Sequence, residues 1–214
     1  ATARHGIFNG IASIGGPNEL RAIFEKQFHA DPASQAAAFV ALRHAAAGRN
    51  TKPAGDLTAP LKTALTGKHP KLQTAALALA GQWKTGKVAA EIRALAKTAP
   101  QPVQIAALSA LGQLDREEAL LTEVLADAKA AGPVRLAALE ALSRVDLTAA
   151  VMHGSKMIAD GNDPAKLLPV FLAREGGPEL LAAVLSKAKI TQAAAGKALD
   201  ALRAAGSSDA ALTK

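Results

Sequence analysis

A repeat of fixed period constrains the fold of this chain more than any other feature. Each copy has a long polar residue, then small or apolar residues, then a bulky apolar side chain four positions on. Four of the five intervals between copies are 31 residues and one is 38. Self-similarity at such a period indicates stacked structural units rather than one central core. The polar residues that open the copies are Arg4, Gln35, Gln73, Gln104, Arg135 and Lys166.

Each copy predicts two helices. Between residues 117 and 145, apolar residues recur every three or four positions over a first helix expected at 117–130. Gly132-Pro133 ends that helix and starts the second one, because glycine breaks a helix and proline suits a first turn. Equivalent breaks open the other second helices, at Asp31-Pro32, His69-Pro70, Gln101-Pro102 and Asp163-Pro164.

Alanine and leucine carry most of the apolar content, and both favour helix. Half of the residues are hydrophobic, yet only 3% are aromatic and none is tyrosine. Alanine and leucine are among the strongest helix formers, so propensity agrees with the periodic pattern. We therefore predict an all-α fold in which one leading helix precedes six helical pairs.

The pairs are expected to form a single array over residues 1–214, with two irregular places. The 38-residue interval predicts a loop inserted near residues 48–60, and Gly206-Ser207-Ser208-Asp209 predicts a frayed tail at 206–214. Residues 4–14 align with 135–145, the second helix of a pair, so the leading helix lacks a first helix before it. Since the sequence also starts at Ala1 rather than methionine, we expect it to be a fragment of a larger protein.

Several chemistries lack the residues they need. The chain has no cysteine, which excludes disulfides, thiolate metal sites and thiol catalysis. No two of its five histidines are four positions apart, and it has no nucleophile or phosphate-loop motif. No apolar run is long enough to span a membrane, and no signal-peptide pattern opens the sequence. We expect no metal, no cofactor, no membrane insertion and no catalytic site.

The positive charge is unevenly distributed. The net charge is +7, and residues 57–100 hold seven bases against one acid. Residues 101–146 hold four bases against seven acids, so the basic zone at 62–97 is not part of a continuous basic stripe. The seven bases are Lys62, Lys68, Lys71, Lys84, Lys87, Arg93 and Lys97.

The repeated motif resembles the HEAT repeat, in the short-period bacterial variety first noted in phycobilin lyases. The residues that carry the resemblance are Pro133-Val134-Arg135 with Ala137-Ala138-Leu139, and Pro102-Val103-Gln104 with Ala106-Ala107-Leu108. The resemblance covers nearly the whole chain and implies an armadillo-type α-solenoid. In that fold a right-handed superhelix places second helices on its concave side, where partners bind. Glutamine replaces the ladder arginine at three positions, so the resemblance does not extend to a strongly cationic ladder.

More loosely, the alanine-rich style resembles the HEAT segment of large exported bacterial proteins. In those proteins a sugar-dehydrogenase-like propeller and a c-type haem domain flank the repeats. This resemblance favours an exported or periplasmic location over a cytoplasmic one. It also implies that flanking domains of the same parent chain are among the partners.

Two sets of residues are candidate functional positions. The polar residues that open the copies are expected to form a structural ladder of hydrogen bonds between neighbouring pairs rather than a ligand site, because they recur once per pair. Further along the second helices lie candidate contacts on the concave surface, for which an ordinary solvated face is the alternative. These candidates are Arg43, His44, Gln82, Gln113, Arg144, Arg174 and Arg203. Trp83, the single tryptophan, is expected to fill space between pairs.

The sequence favours a monomeric, non-catalytic interaction or spacer module over two alternatives. The main alternative is nucleic-acid binding through residues 62–97. HEAT-like DNA-alkylation glycosylases hold a base with aromatic residues, and this chain is poor in them, so we expect only weak nucleic-acid binding. An enzyme is the third hypothesis. A protein, or a flanking domain of the parent chain, is the expected partner.

Overall fold

A computed structural model describes residues 9–28, 31–114, 117–187 and 191–204. Within these ranges the regular structure is helical and includes no strand. The all-α prediction is therefore confirmed, whereas Arg4 and the tail at 206–214 lie outside the described residues. No helix in the described ranges is long and apolar enough to cross a membrane.

The described helices follow the predicted order of one leading helix and six pairs. They are α1 (9–14), α2 (Pro17–Phe28), α3 (Pro32–Arg49), α4 (Thr58–Thr66), α5 (Pro70–Gln82), α6 (Ala89–Thr98), α7 (Gln101–Gln113), α8 (Glu118–Ala126), α9 (Gly132–Val145), α10 (Leu147–Ala159), α11 (Pro164–Leu172), α12 (Gly177–Leu185) and α13 (Gln192–Ala204). A 3₁₀ turn at Gly86–Val88 precedes α6.

Every predicted proline break begins a second helix. Proline occupies the first turn of α3, α5, α7, α9 and α11, where its missing N–H leaves no hydrogen bond unmade. Asp31 adds a side-chain cap to α3, since its carboxylate accepts the amide N–H groups of Ala33 and Ser34 at 3.0 and 3.1 Å. The first-turn prolines explain why the starts of these helices could be predicted from the sequence.

The chain divides into two compact units, Ala1–Arg116 and Glu117–Lys214. In the first unit, each second helix packs on the next, α3 on α5 and α5 on α7, while the first helices α4 and α6 also pack together. Its largest fully buried side chains are Leu20, Phe24, Leu42, Leu61, Leu65, Leu77, Leu79, Ile92, Leu108 and Leu111.

The second unit shows the same kind of packing. Helix α11 lies between α9 and α13, and α10 packs on α12. Gly154 of α10 lies under the ring of Phe171 of α11, so close that a Cβ there would come within 2.7 Å of the ring atom Cε2. A glycine is therefore required for α10 and α11 to approach at this point.

Helix α8 is shorter than predicted. It ends at Ala126 instead of residue 130, and Ala128, which lies beyond this end, is exposed. Asp127 adopts an extended backbone, and its carboxylate accepts the amide N–H of Lys129 at 2.8 Å. A local side-chain hydrogen bond of this kind competes with the helix and terminates it.

The insertion predicted near residues 48–60 is divided between a helix and a loop. Helix α3 has 18 residues where α5 has 13, and residues 50–57 form the loop that follows it. Arg21 of α2 holds this loop by donating to the carbonyl oxygens of Ala54 and Asp56, at 3.4 and 2.8 Å. The loop is thus anchored to the first unit by specific bonds.

The leading helix exposes part of its apolar face. Ile11 and Ile14 are 37% and 83% exposed, whereas Leu142, which aligns with Ile11, is fully buried. Ala12 is buried, and its carbonyl oxygen accepts the Arg49 guanidinium at 2.7 Å. One face of α1 is therefore packed within the unit while its isoleucines meet solvent.

Candidate partner-binding surface

The predicted contact residues lie near the carboxyl-terminal ends of the second helices. In the first unit, Arg43 and His44 are exposed on α3, and Gln82 is exposed at the end of α5. Their positions follow directly after buried residues such as Leu42 and Gly81. The helix register therefore places these polar side chains outward, as the repeat alignment predicts.

The Gln113 side chain packs against a neighbouring helix and is therefore not exposed to a partner. Its side chain lies over Gly81 of the neighbouring second helix, where a Cβ would come 3.1 Å from the Gln113 Cδ and 3.2 Å from the Cα of Ala110. The small residue lets α5 and α7 approach closely. Gln113 is half-buried as a result, so it joins two pairs instead of extending into solvent.

Arg174 joins neighbouring pairs in the second unit. Its Nε donates to the hydroxyl of Ser143 at 3.3 Å, and that hydroxyl donates to the carbonyl of Glu140 at 2.9 Å. Burial lowers the pKa of the Arg174 guanidinium, the positive charge of Arg144 lowers it further, and Glu140 opposes the change. Arg174, which lies two residues after the end of α11, therefore bonds to α9, whereas Arg144 is exposed.

Arg203 is a solvated candidate in the second unit. It lies on α13 and pairs with Asp200, three positions earlier, at 3.5 Å. The two side chains are 77% and 78% exposed, so this ion pair contributes little stability. Its guanidinium remains accessible to a partner.

Two of the polar residues that open the copies, Gln73 and Gln104, make hydrogen bonds within their own pair. These bonds differ from the predicted ladder, which would join neighbouring pairs. The Gln73 amide donates to the carbonyls of Leu65 and Gly67, at 3.0 and 2.8 Å, and the Gln104 amide donates to that of Lys97 at 3.2 Å. These carbonyls belong to the end of the first helix in the same pair. The glutamines therefore cap the carboxyl-terminal end of that helix, whose last carbonyls have no partner within it.

The other three described ladder positions differ from one another. Gln35 is half-buried on α3, and Lys166 is exposed on α11. Arg135 is half-buried on α9, and its buried Nε has no hydrogen-bond partner among the described residues. The shared sequence position thus has no single structural role across the pairs.

Trp83 fills space between pairs, as predicted. Only 8% of it is exposed, and its ring meets the edge of Phe24 with centroids 6.2 Å apart. Phe24 in turn stacks on Phe39 at 5.5 Å. Three of the few aromatic rings of the chain therefore form one cluster in the first unit.

Sequence reasoning missed a cavity beside this tryptophan. A space of about 360 Å³ lies between the start of the inserted loop and the end of α5. The one sequence signal for it was the 38-residue interval, which marks where the repeat departs from its period. Its lining residues are Asn50, Thr51, Lys52, Gln82, Trp83 and Lys84.

Two observations in the described part of the chain concern acidic, histidine and serine side chains. No group of three or more acidic or histidine side chains there is placed to hold a metal ion. Ser155, which follows His153 and Gly154, is 3% exposed, and its hydroxyl lacks a hydrogen-bond partner among the described residues. The Ser155 hydroxyl is therefore shielded from solvent.

Comparison with protein family models, curated proteins and solved structures found no match to this chain. The candidate surface is therefore defined only by the positions and burial of the residues described above.

Proposed function

We propose that this chain is a run of HEAT-like repeats that serves as a non-catalytic interaction or spacer module. Two layers within each unit support the repeat assignment. Second helices pack in series as α3, α5 and α7, or as α9, α11 and α13, while the first-helix pairs α4–α6 and α10–α12 pack beside them. A right-handed superhelix within each unit, with the second helices on its concave side, accounts for this arrangement.

The observation that carries the proposal is the repeated outward row on the second helices. His44, Gln82 and Arg144 occupy the same repeat position in three different pairs, and all three are exposed. Each follows closely after fully buried residues of its own helix, for example Leu42 and Leu142. Helices α3 and α5 pack on each other and both present an exposed polar side chain at this position, which suits recognition of a partner that spans two pairs.

The basic zone gives less support to nucleic-acid binding. Lys62 pairs with the largely buried carboxylate of Glu91 at 2.8 Å, and Lys87 pairs with Asp56 at 3.6 Å. The hydrogen bond from Lys62 is the main cause that lowers the pKa of Glu91, so the Glu91 carboxylate stays ionised at neutral pH. Two of the seven bases are thus partly neutralised within the unit.

The remaining bases are spread along the helices. Lys71 and Lys84 flank opposite ends of α5, whose 13 residues place them about 20 Å apart. A phosphate backbone is bound by several close cationic contacts that follow a groove. Scattered lysines of this kind are typical of a solvated basic surface.

A site-specific photo-cross-linker tests the interaction function. It would be introduced at Gln82 or Arg144 on the second helices, with Ala94 of α6 and Glu179 of α12 as exposed controls on first helices, in the protein expressed in its native cells. We expect protein adducts at the second-helix positions and few at the controls. Equal adducts at all four positions, or none at any, would refute the proposed surface.

A titration with duplex and single-stranded oligonucleotides at physiological salt tests the alternative. We expect dissociation constants no tighter than about 10⁻⁴–10⁻⁶ M, the level of sequence-independent contacts. Submicromolar binding that disappears when Lys84 and Lys87 are changed to glutamate would favour nucleic acid over protein as the partner.

A further inference from the structure

The second helices of the first unit carry basic residues and no acidic ones. Helices α3, α5 and α7 contain 18, 13 and 13 residues, and none of these is aspartate or glutamate. The described acids of this unit lie on first helices or in loops, and they are Glu19, Glu25, Asp31, Asp56 and Glu91. The exposed bases of the second helices are Arg43, His44, Arg49 and Lys71. Within this unit, charge is therefore segregated between the two layers of helices.

Acids of the first unit are engaged by groups outside the outward face of the second helices. Glu91 pairs with Lys62 at 2.8 Å, and Glu25 pairs with Arg21 at 2.7 Å. Asp31, which precedes α3, accepts hydrogen bonds from the first turn of that helix at 2.7–3.1 Å. These carboxylates therefore do not pair with the bases of α3 and α5.

Three of the four bases on the second helices have no partner. Arg43, His44 and Lys71 make no hydrogen bond or ion pair with the described residues. Arg49 differs, because its guanidinium donates to the Ala12 carbonyl at 2.7 Å. Exposed cations on helices that lack acids favour a negatively charged partner, since complementary charge steers and orients an interface.

Helices α3 and α5 run parallel, with their carboxyl-terminal ends side by side. They pack on each other, and residues 50–52, after α3, line the same cavity as residues 82–84, at the end of α5. The repeat register places Arg43 beside Gly81, ten positions beyond Lys71. With about 1.5 Å per residue along the axis and about 8–10 Å between axes, the Cα atoms of Arg43 and Lys71 lie roughly 17–18 Å apart.

An exposed apolar side chain lies between these two cations. Val40 is 47% exposed, and it shares a face of α3 with Arg43 and His44, three and four positions further on. Ala78, at the same repeat position on α5, is half-buried. A partner with two negative charges and apolar residues between them therefore matches this surface.

The same features favour a peptide over a nucleic acid. A phosphate backbone is bound by cations at close intervals, whereas Arg43 and Lys71 are separated by most of the length of α5. Phe39 of α3 and Trp83, which follows α5, are 3% and 8% exposed, so neither ring is placed to stack on a base.

From these observations we infer that α3 and α5 bind an extended acidic peptide. One carboxylate of the peptide pairs with Arg43, a second pairs with Lys71, and apolar side chains between them cover Val40. The inference rests on the proposed function, because it names the chemistry of the partner for the same helices. An extended chain advances about 3.3 Å per residue and its alternate side chains share a face, so carboxylates six positions apart span about 20 Å and reach both cations.

Two peptides of one composition test the spacing of the charges. The probe is the capped and amidated peptide Glu-Ser-Leu-Ser-Leu-Ser-Glu, whose acidic and apolar side chains share one face of an extended chain. The peptide Leu-Ser-Glu-Ser-Glu-Ser-Leu has the same composition, but its acids are only two positions apart. A version of the probe with glutamine at both acidic positions removes the charge. Titration of the ¹⁵N-labelled chain, followed by NMR, locates each peptide and gives its dissociation constant.

We expect the probe to shift amide signals of α3 and α5 and to bind more tightly than the other two peptides. Arg43→Gln and Lys71→Gln should each weaken binding about two- to fivefold, the range of one exposed ion pair, and loss of both peptide charges should weaken it about four- to 25-fold. A probe that keeps one glutamate should respond to only one of these two variants. Lys156→Gln, on the first helix α10, is the matched control and should leave binding unchanged, because Lys156 is exposed without being on a second helix.

Several results would overturn the inference. They are equal affinity for the probe and its glutamine version, equal affinity for the two spacings, equal weakening by Lys71→Gln and Lys156→Gln, and tighter binding of a single-stranded oligonucleotide to the same helices. The outcome is separable from that of the proposed function. Cross-links along the second helices with no preference for the acidic probe would sink the acidic-peptide inference alone, whereas probe binding without cross-links in cells would count against the interaction module.

Discussion

Gly154→Ala and Gly196→Ala are the same substitution on two helices of one unit, and we expect them to change stability in opposite directions. At Gly154 the new Cβ would come within 2.7 Å of the Phe171 ring, and Phe171 is fully buried. At Gly196, in the interior of α13, the new carbon meets no heavy atom within 4 Å beyond the adjacent residues and the backbone of its own helix. The two sites therefore differ in the space available for the alanine Cβ.

The magnitudes follow from two competing effects. Alanine in a helix interior gains about 0.5–1 kcal/mol over glycine, because glycine loses more backbone entropy on folding. Overpacking of a core costs about 1–3 kcal/mol, because a stiff ring and its neighbours have to move. Gly196→Ala should therefore stabilise by up to about 1 kcal/mol, and Gly154→Ala should destabilise by roughly 0.5–2 kcal/mol after the helical gain is subtracted.

Urea denaturation followed by circular dichroism measures both free energies of unfolding. Phe171→Leu provides the internal control, because a smaller side chain makes room for the Cβ at Gly154. The double variant Gly154→Ala/Phe171→Leu should be more stable than the sum of its single changes predicts. If Gly154→Ala stabilises as much as Gly196→Ala, the close approach of α10 and α11 is refuted.

Three further predictions test the helix register, the glutamine cap and the loop anchor. Leu139→Ala should destabilise by about 2–5 kcal/mol, because Leu139 is fully buried. Glu140→Ala, at the next and exposed position, should change the melting temperature little, and equal shifts for the two would contradict the register. Gln73→Ala should cost about 1–3 kcal/mol in a denaturant titration, because it leaves the carbonyls of a buried cap without a donor. The pKa of Asp56 is lowered, first by hydrogen bonds from Thr58 and then by Lys87, so its contribution is present above the ordinary carboxyl range and is lost as the pH falls through the lowered value. The protection factors of the amides in loop 50–57, which are corrected for the intrinsic exchange rate, should therefore fall in acid. Asp56→Asn should show the lower protection factors already at neutral pH and should lose their dependence on pH.

The helix boundaries marked by proline were predictable, and those marked by side-chain capping were less so. Pro32, Pro70 and Pro164 each stand in the first turn of a helix, since proline has no N–H to lose there. The end of α8 was misplaced, because nothing in the apolar period shows that the Asp127 carboxylate will accept a nearby N–H. Local hydrogen bonds of this kind are decided by rotamers rather than by periodicity.

The solvent exposure of several candidate contact residues on the second helices was also predictable, but the hydrogen-bond and packing partners of individual side chains were not. The register placed Arg43 and Arg144 in solvent correctly. It could not distinguish Gln113 and Arg174, which occupy similar positions yet pack against Gly81 and Ser143 of the neighbouring helix. Those contacts depend on how closely two helices approach, and that distance is set by small residues one repeat away.

The glutamine caps bear on how such an array can change in length. In the pairs α4–α5 and α6–α7, the donor that satisfies the end of the first helix is carried by the second helix of the same pair. A gene duplication or deletion that adds or removes one whole pair therefore carries donor and acceptor together. A recombination breakpoint inside the pair would separate them and leave bare carbonyls at a helix end. Selection against such breakpoints favours growth by complete copies, which is consistent with four intervals of identical length in this chain.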